Sequence, residues 1–158
     1  ANHHVTYPAR FQLVAAMNPC RCGFLGDPSQ ECTRAPRCGV DYQAKISGPL
    51  LDRFDLRVDV PPVSVRDLQT EGPAGEPSSV VARRVAAARS LQDRRGFGLN
   101  AYLSSDQIEE SVSLGPEGKA MLASASEKLK ISARGYHRIL RVARTIADLS
   151  GDPGPVQT

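Results

Sequence analysis

No apolar run in these 158 residues approaches the roughly 20 that a membrane-spanning helix needs. The opening residues Ala1-Asn2-His3-His4-Val5 show no basic region leading into an apolar one. Neither a span nor a secretory leader is expected, and the chain reads as a soluble, cytoplasmic protein without membrane contact. Cysteine is absent outside the window from Cys20 to Cys38, which argues against a disulfide framework. There is no Gly-x-x-x-x-Gly-Lys-Ser/Thr loop, no Gly-x-Gly-x-x-Gly and no acidic pair closing an apolar strand, so the usual cradle for a triphosphate and its magnesium is missing. His3, His4 and His137 have no sequence-level partner for nucleophilic catalysis. Lysine is scarce too. Only Lys45, Lys119, Lys128 and Lys130 occur, leaving sixteen arginines among the 20 basic residues.

What is present is globular in kind, with 41% hydrophobic and 23% charged residues. A formal charge of +3 is too small to announce a nucleic-acid binder. The arginine excess suits bidentate contact with phosphate or carboxylate, and a biased genome composition gives the same excess.

The hydrophobic pattern divides the chain. Phe11 to Met17 is nearly all apolar and ends at Asn18-Pro19, as a strand buried on both faces would. Residues 18–42 carry cysteine, glycine and proline with no period, an irregular insertion of functional length. Tyr42 to Asp52 can form a short helix interrupted by Gly48-Pro49. Phe54, Leu56, Val58 and Val60 then alternate with polar residues as a half-buried strand up to Pro61-Pro62. The first unit is therefore 1–63, and the Gly/Pro-rich stretch 64–78 reads as a linker.

From 79 to 158 the period becomes helical. Val81, Val85, Ala88 and Leu91 form the stripe of a helix capped by Ser78 or Ser79. A short helix spans about Ser105 to Val112, and Pro116 opens another with Leu122, Ala125 and Leu129 inward. Ser132 caps a last helix, 133–149, with Tyr136, Ile139, Leu140, Ala143 and Ile146 inward and the tail from Gly151 frayed. The expected class is α/β plus all-α.

Four places carry candidate chemistry. Asn18 ends the first strand, where open α/β sheets present groups to ligands, although Asn before Pro is commonly a turn residue. Arg53 lies between a helix and a strand, free to reach a phosphate on a neighbouring molecule or to pair with Asp52 or Asp55. Arg134, Arg138 and Arg141 share a face of the last helix, and Arg134 sits in its first turn, where the dipole disfavours a cation and an anion would compensate. Cys20, Cys22, Cys32 and Cys38 suit a tetrahedral zinc shell or free thiols, with a disulfide as a third reading. The helix over 79–95 adds Arg83, Arg84, Arg89, Arg94 and Arg95 against Asp93, a possible phosphate-tracking face.

Three segments are long enough to carry a resemblance: Tyr7-Pro-Ala-Arg-Phe-Gln-Leu-Val-Ala-Ala-Met-Asn-Pro-Cys20, Ile46-Ser-Gly-Pro-Leu-Leu-Asp-Arg-Phe-Asp-Leu56, and the run from Leu129 through Ser132-Ala-Arg-Gly-Tyr-His-Arg138 to Leu149. Together they resemble the magnesium-chelatase-like AAA+ ATPases, the ComM/YifB group of bacterial competence proteins, over nearly the whole chain.

The resemblance implies the end of an AAA+ α/β core with a Cys-rich insertion, followed by a helical lid. The Walker A and B segments would lie upstream, leaving the isolated fragment inactive. It implies ATP and Mg2+ as nucleotide and cofactor, and a homo-oligomeric ring, a hexamer, as the working form. Asn18 takes the position of sensor 1, Arg53 that of an arginine finger delivered to the neighbouring subunit, and Arg134 that of sensor 2. DNA is the implied partner, through branch migration in natural transformation. The alternatives are a true magnesium chelatase motor subunit and a zinc-stabilised nucleic-acid-binding module. The family's insertion usually has Cys-x-Cys in both halves. Here Arg34 stands two after Cys32, and the fourth cysteine has moved to Cys38.

Overall fold

The computed structural model describes residues 3–27, 30–63, 65–69, 75–152, 154 and 156. The chain divides into two units, Ala1–Ser47 and Gly48–Thr158.

Among its described residues the first unit has one regular element, α1 (Arg37–Gln43), so the expected irregular insertion ends in a helix. Gln43 at the end of α1 donates from Nε2 to the Pro19 carbonyl at 3.0 Å, tying the helix back to the start of the cysteine loop. Gly39 on α1 is buried against Leu25, and a Cβ there would stand 2.4 Å from Leu25 Cδ2, so the site has room only for glycine unless Leu25 shifts. Apart from Gly39, the buried residues among those described here are Cys20 and Cys32. Among its described residues the lobe has almost no apolar core.

The buried strands expected at Phe11–Met17 and Phe54–Val60 are not seen, and no strand occurs among the described residues. A strand exists only as one side of a hydrogen-bonded ladder, and no described segment pairs with either run. Their side chains are correspondingly exposed, Val14 by 85% and Val60 by 84%.

The second unit is helical: α2 (Gly48–Leu51), α3 (Val65–Gln69), α4 (Ser78–Arg94), a 3-10 turn at Asn100–Tyr102, α5 (Ser105–Val112), α6 (Pro116–Leu129) and α7 (Ala133–Leu149). Helix α3 falls inside the stretch expected as linker; residues 64 and 70–74 of that stretch lie outside the described residues. Local sequence sets the ends of the later helices. Ser104 and Gln107 form a reciprocal capping box at α5, Pro116 occupies the first turn of α6, and Ser132 Oγ accepts the Gly135 amide at 3.0 Å to open α7. Helix α4 departs from expectation. Pro77, in extended conformation, precedes it, and neither Ser78 nor Ser79 caps it because the helix already includes both.

The core joins Leu103, Ile108, Val112, Leu122, Leu140 and Val156, with Tyr136, Ala143 and Ala147 packed against it. Helix α7 is its centre, lying on α5, α4 and the 3-10 turn. Several expected stripe residues lie outside the core. Val81 and Val85 of α4, Leu129 at the end of α6, and Ile139 and Ile146 of α7 are all exposed. The tail is less frayed than expected at one point: the Val156 amide donates to the Val112 carbonyl at 3.0 Å and its side chain is buried. Residues 153, 155, 157 and 158 of the tail lie outside the described residues.

A buried charge network locks α7 to its surroundings. Arg95 donates to both Asp148 oxygens at 2.5 and 2.6 Å, and Asn100 Nδ2 adds a bond at 2.8 Å. Fully buried Arg144 donates to the same carboxylate at 3.1 Å and to the carbonyls of Asp152 and Gly154. Burial pushes the Asp148 carboxyl up, but the Arg95 and Asn100 donors and the Arg144 charge outweigh it and hold the group below its ordinary value. A depressed carboxyl stabilises the fold above its unfolded value, and the contribution is lost as pH falls through the folded one. Asp148→Asn is therefore expected to cost about 3–5 kcal/mol at neutral pH by leaving Arg144 buried without its charge partner. The same variant should flatten the acid limb of stability against pH, both effects being measured by denaturant unfolding.

Candidate functional site

In the first unit the four cysteines converge. The loop turns back through the Gly23 amide, which donates to the Cys20 carbonyl at 3.1 Å. The Ala35 amide donates to the Cys32 carbonyl at 2.9 Å, and the Cys38 amide to the Arg34 carbonyl at 2.9 Å, bringing Cys38 in on the first turn of α1. All four Sγ atoms lie within 4.8 Å of one another. Cys20 and Cys22 are 3.2 Å apart at sulfur, and Cys22 and Cys32 3.4 Å, so no disulfide is formed and all four are free.

A metal with bonds of about 2.3 Å to four sulfurs puts those sulfurs about 3.8 Å from one another. The observed separations bracket that edge, so the donor set fits a tetrahedral ion. The displaced fourth cysteine is no obstacle, because α1 brings Cys38 within 4.8 Å of the other three sulfurs. Burial pushes Cys20 up, yet hydrogen bonds from Cys22 and nearby backbone amides bring it down to about 6. A backbone amide at Phe24 favours the Cys22 thiolate, but its bonds with Cys20 and Cys32 push it up to about 12. Asn18 lies two residues before Cys20 and is exposed.

The second unit holds a separate arrangement around Arg53. Helix α2 restarts at Gly48, and the Asp52 and Arg53 amides donate to the carbonyls of Gly48 and Leu50, both at 2.9 Å. Asp52 points to α7. Ser132 Oγ donates to Asp52 Oδ2 at 3.2 Å, and Arg138 Nη1 stands 3.7 Å from Oδ1. The same Nη1 donates to the Asp52 carbonyl at 2.6 Å and the Phe54 carbonyl at 3.0 Å. Gly135 makes room for this approach. A Cβ there would sit 2.8 Å from Ile131 Cγ2, 3.4 Å from Ser132 Oγ and 3.9 Å from Asp52 Oδ1. Arg53 makes no ion pair with Asp52 or Asp55; its guanidinium donates to the Pro49 carbonyl and is exposed. Arg134, two residues beyond Ser132, is also exposed.

The expected arginine face of α7 is therefore divided. Arg138 holds the α2 loop, and Arg141 Nη2 donates to the Leu103 carbonyl at 2.8 Å, leaving Arg134 at the surface. Arginines of α4 and its C-cap are also engaged. Arg84 makes a bidentate pair with Glu76 at 2.9 and 3.2 Å, and Arg95 is committed to Asp148. The Asp52–Ser132–Arg138 contacts were missed from sequence because they join residues about 80 positions apart. Arg144 and Asp148 did leave a signal, an opposite-charge pair at i,i+4 spacing on the last helix.

Two parts of the chain match descriptions from one family: residues 1–68 match "Magnesium chelatase, subunit ChlI", and residues 75–158 match its C-terminal part. The chain is 44% identical over 153 residues to competence protein ComM of Haemophilus influenzae, covering 96% of this chain and 30% of that protein. It is 43% identical over 145 residues to the uncharacterised YifB of Escherichia coli, covering 92% and 28%. An uncharacterised Mycobacterium tuberculosis protein is 40% identical over 153 residues, covering 94% and 30%. The chain thus spans less than a third of the length of these curated relatives. With both segments matched in order, the chain belongs to the magnesium chelatase ChlI family.

Proposed function

We propose that this chain contributes one side of an ATP-hydrolysing site in an AAA+ ring motor, with Arg53 supplied to the nucleotide of an adjacent subunit. The observation that supports this most is the exposure of Arg53, which has no carboxylate partner among the described residues. Asp52, its natural partner by sequence, is engaged by Ser132 and Arg138, so an exposed guanidinium remains available to an anion. Asn18 is assigned the sensor 1 role, orienting the attacking water, and Arg134 the sensor 2 role on the lid. The Walker segments that would bind ATP with Mg2+ belong, on this reading, to the remaining length that the relatives possess. Mg2+ would neutralise charge on the phosphates.

The exposed runs Phe11–Met17 and Phe54–Val60 are read as strands that pair with that remaining length. An arginine delivered in trans needs a homo-oligomeric ring, which we assign as a hexamer. No helix among the described residues is long and apolar enough to cross a membrane, and a cytoplasmic location is part of the proposal. In the full-length protein, Arg53→Ala is expected to lower ATP turnover by about 10³- to 10⁵-fold, with nucleotide affinity retained. Turnover at the wild-type rate would remove Arg53 from the site.

The name of the Haemophilus relative favours a role in competence over a chelatase motor, while the family description favours the latter. We assign DNA as the partner. Binding to branched or duplex DNA should weaken steeply with salt, whereas the same weak retention at low and high salt would count against it. The cysteine cluster is assigned to structural zinc, which would give its coreless lobe a fold. Elemental analysis is expected to find about one zinc per chain, falling below about half in Cys32→Ser. A metal-free wild-type protein with four titratable thiols would reject that site.

A further inference from the structure

The carbonyls on either side of Arg53, those of Asp52 and Phe54, are both gripped by one nitrogen of one side chain, Arg138 Nη1. The Asp52 carbonyl belongs to the peptide that enters the Arg53 Cα, and the Phe54 carbonyl to the peptide one residue beyond the one that leaves it, so the grip brackets Arg53 and restricts the turn from which its side chain projects. The Asp52 carboxylate adds a third tie, to Ser132 Oγ, whose other bond caps α7. Arg138 is mostly buried, its side chain 19% exposed, so the grip is sheltered from competing water.

We propose that Arg138 is the positioning residue for Arg53, and that through it the orientation of α7 sets where the Arg53 guanidinium projects. This rests on the reading of Arg53 as the trans finger. Arg134 leaves α7 two residues after Ser132, so the grip makes the α2 loop and the start of the lid helix one body. A rotation of α7 on nucleotide binding would then carry Arg53 with it, linking the lid of one subunit to the phosphate chemistry of the next. The pairing of Asp52 with α7 also keeps its carboxylate from capturing Arg53, which would neutralise the finger.

The test uses the full-length assembled protein with Arg138→Ala, Arg138→Lys, Arg53→Ala and the double variant Arg53→Ala/Arg138→Ala. Misplacing a catalytic group by an ångström costs about 10²-fold, so Arg138→Ala should lower kcat by about that factor with KM for ATP little changed. Arg138→Lys, which keeps a cation able to reach a carbonyl, should recover part of the loss. The double variant should turn over no more slowly than Arg53→Ala alone, since Arg138 acts only through Arg53. Hydrogen exchange at the Arg53 and Phe54 amides gives a readout independent of activity, and Arg138→Ala should accelerate it about tenfold or more. Unchanged exchange overturns the proposal, as does a double variant in which the two losses multiply. Faster exchange combined with wild-type turnover in Arg53→Ala would instead overturn the finger reading, and with it the catalytic half of the proposal.

Discussion

The second unit depends on one buried carboxylate. Asp148 gathers Arg95 from the end of α4, Asn100 from the 3-10 turn and Arg144 from its own helix, and Arg144 reaches onward to the tail carbonyls of Asp152 and Gly154. An apolar group in that place would pack, but it would not specify which three segments meet or in what register. Charge pairs in low dielectric are unforgiving of displacement, so the network fixes the position of α7 along its length. The remaining features of the unit are built on that fixed rod.

At the other end of the rod the same side-chain type is used differently. Arg144 is consumed in holding α7 down, Arg141 in holding the Leu103 carbonyl, and Arg138 in holding the Asp52 and Phe54 carbonyls. Arg134 and Arg53 are exposed. Within one arginine-rich unit the division between structural and available guanidinium groups follows burial. Arginine suits both tasks because its planar fork meets a carbonyl, a carboxylate or a phosphate with the same geometry.

Helix ends were legible from sequence where a local rule governs them: the Ser132 cap, Pro116 in the first turn of α6, and the short α5 with its boundaries at Ser105 and Val112. The cysteine cluster was legible as a set because all four members fall close together in the chain, even though Cys38 breaks the usual spacing. The strands were misjudged because alternation in Phe54 to Val60 reports a preference for pairing, and pairing needs a partner that period alone does not supply. The α7 arginine face was misjudged because helical periodicity gives the direction of a side chain and not the distant carbonyl it meets. Asp52 illustrates the same limit: its neighbour Arg53 was the evident partner, and the actual partners lie in a helix about 80 residues away.

The uncovered apolar runs have a practical consequence. Phe11, Leu13 and Val14, and again Leu56, Val58 and Val60, present β-prone, apolar side chains to water with no ladder partner among the described residues. Such ribbons are templates for one another as readily as for a sheet, and in concentrated solution they recruit copies edge to edge. These 158 residues handled alone therefore carry their own seeds of precipitation, and the solubility of a preparation becomes a report on whether those two ribbons have found the neighbours they pair with.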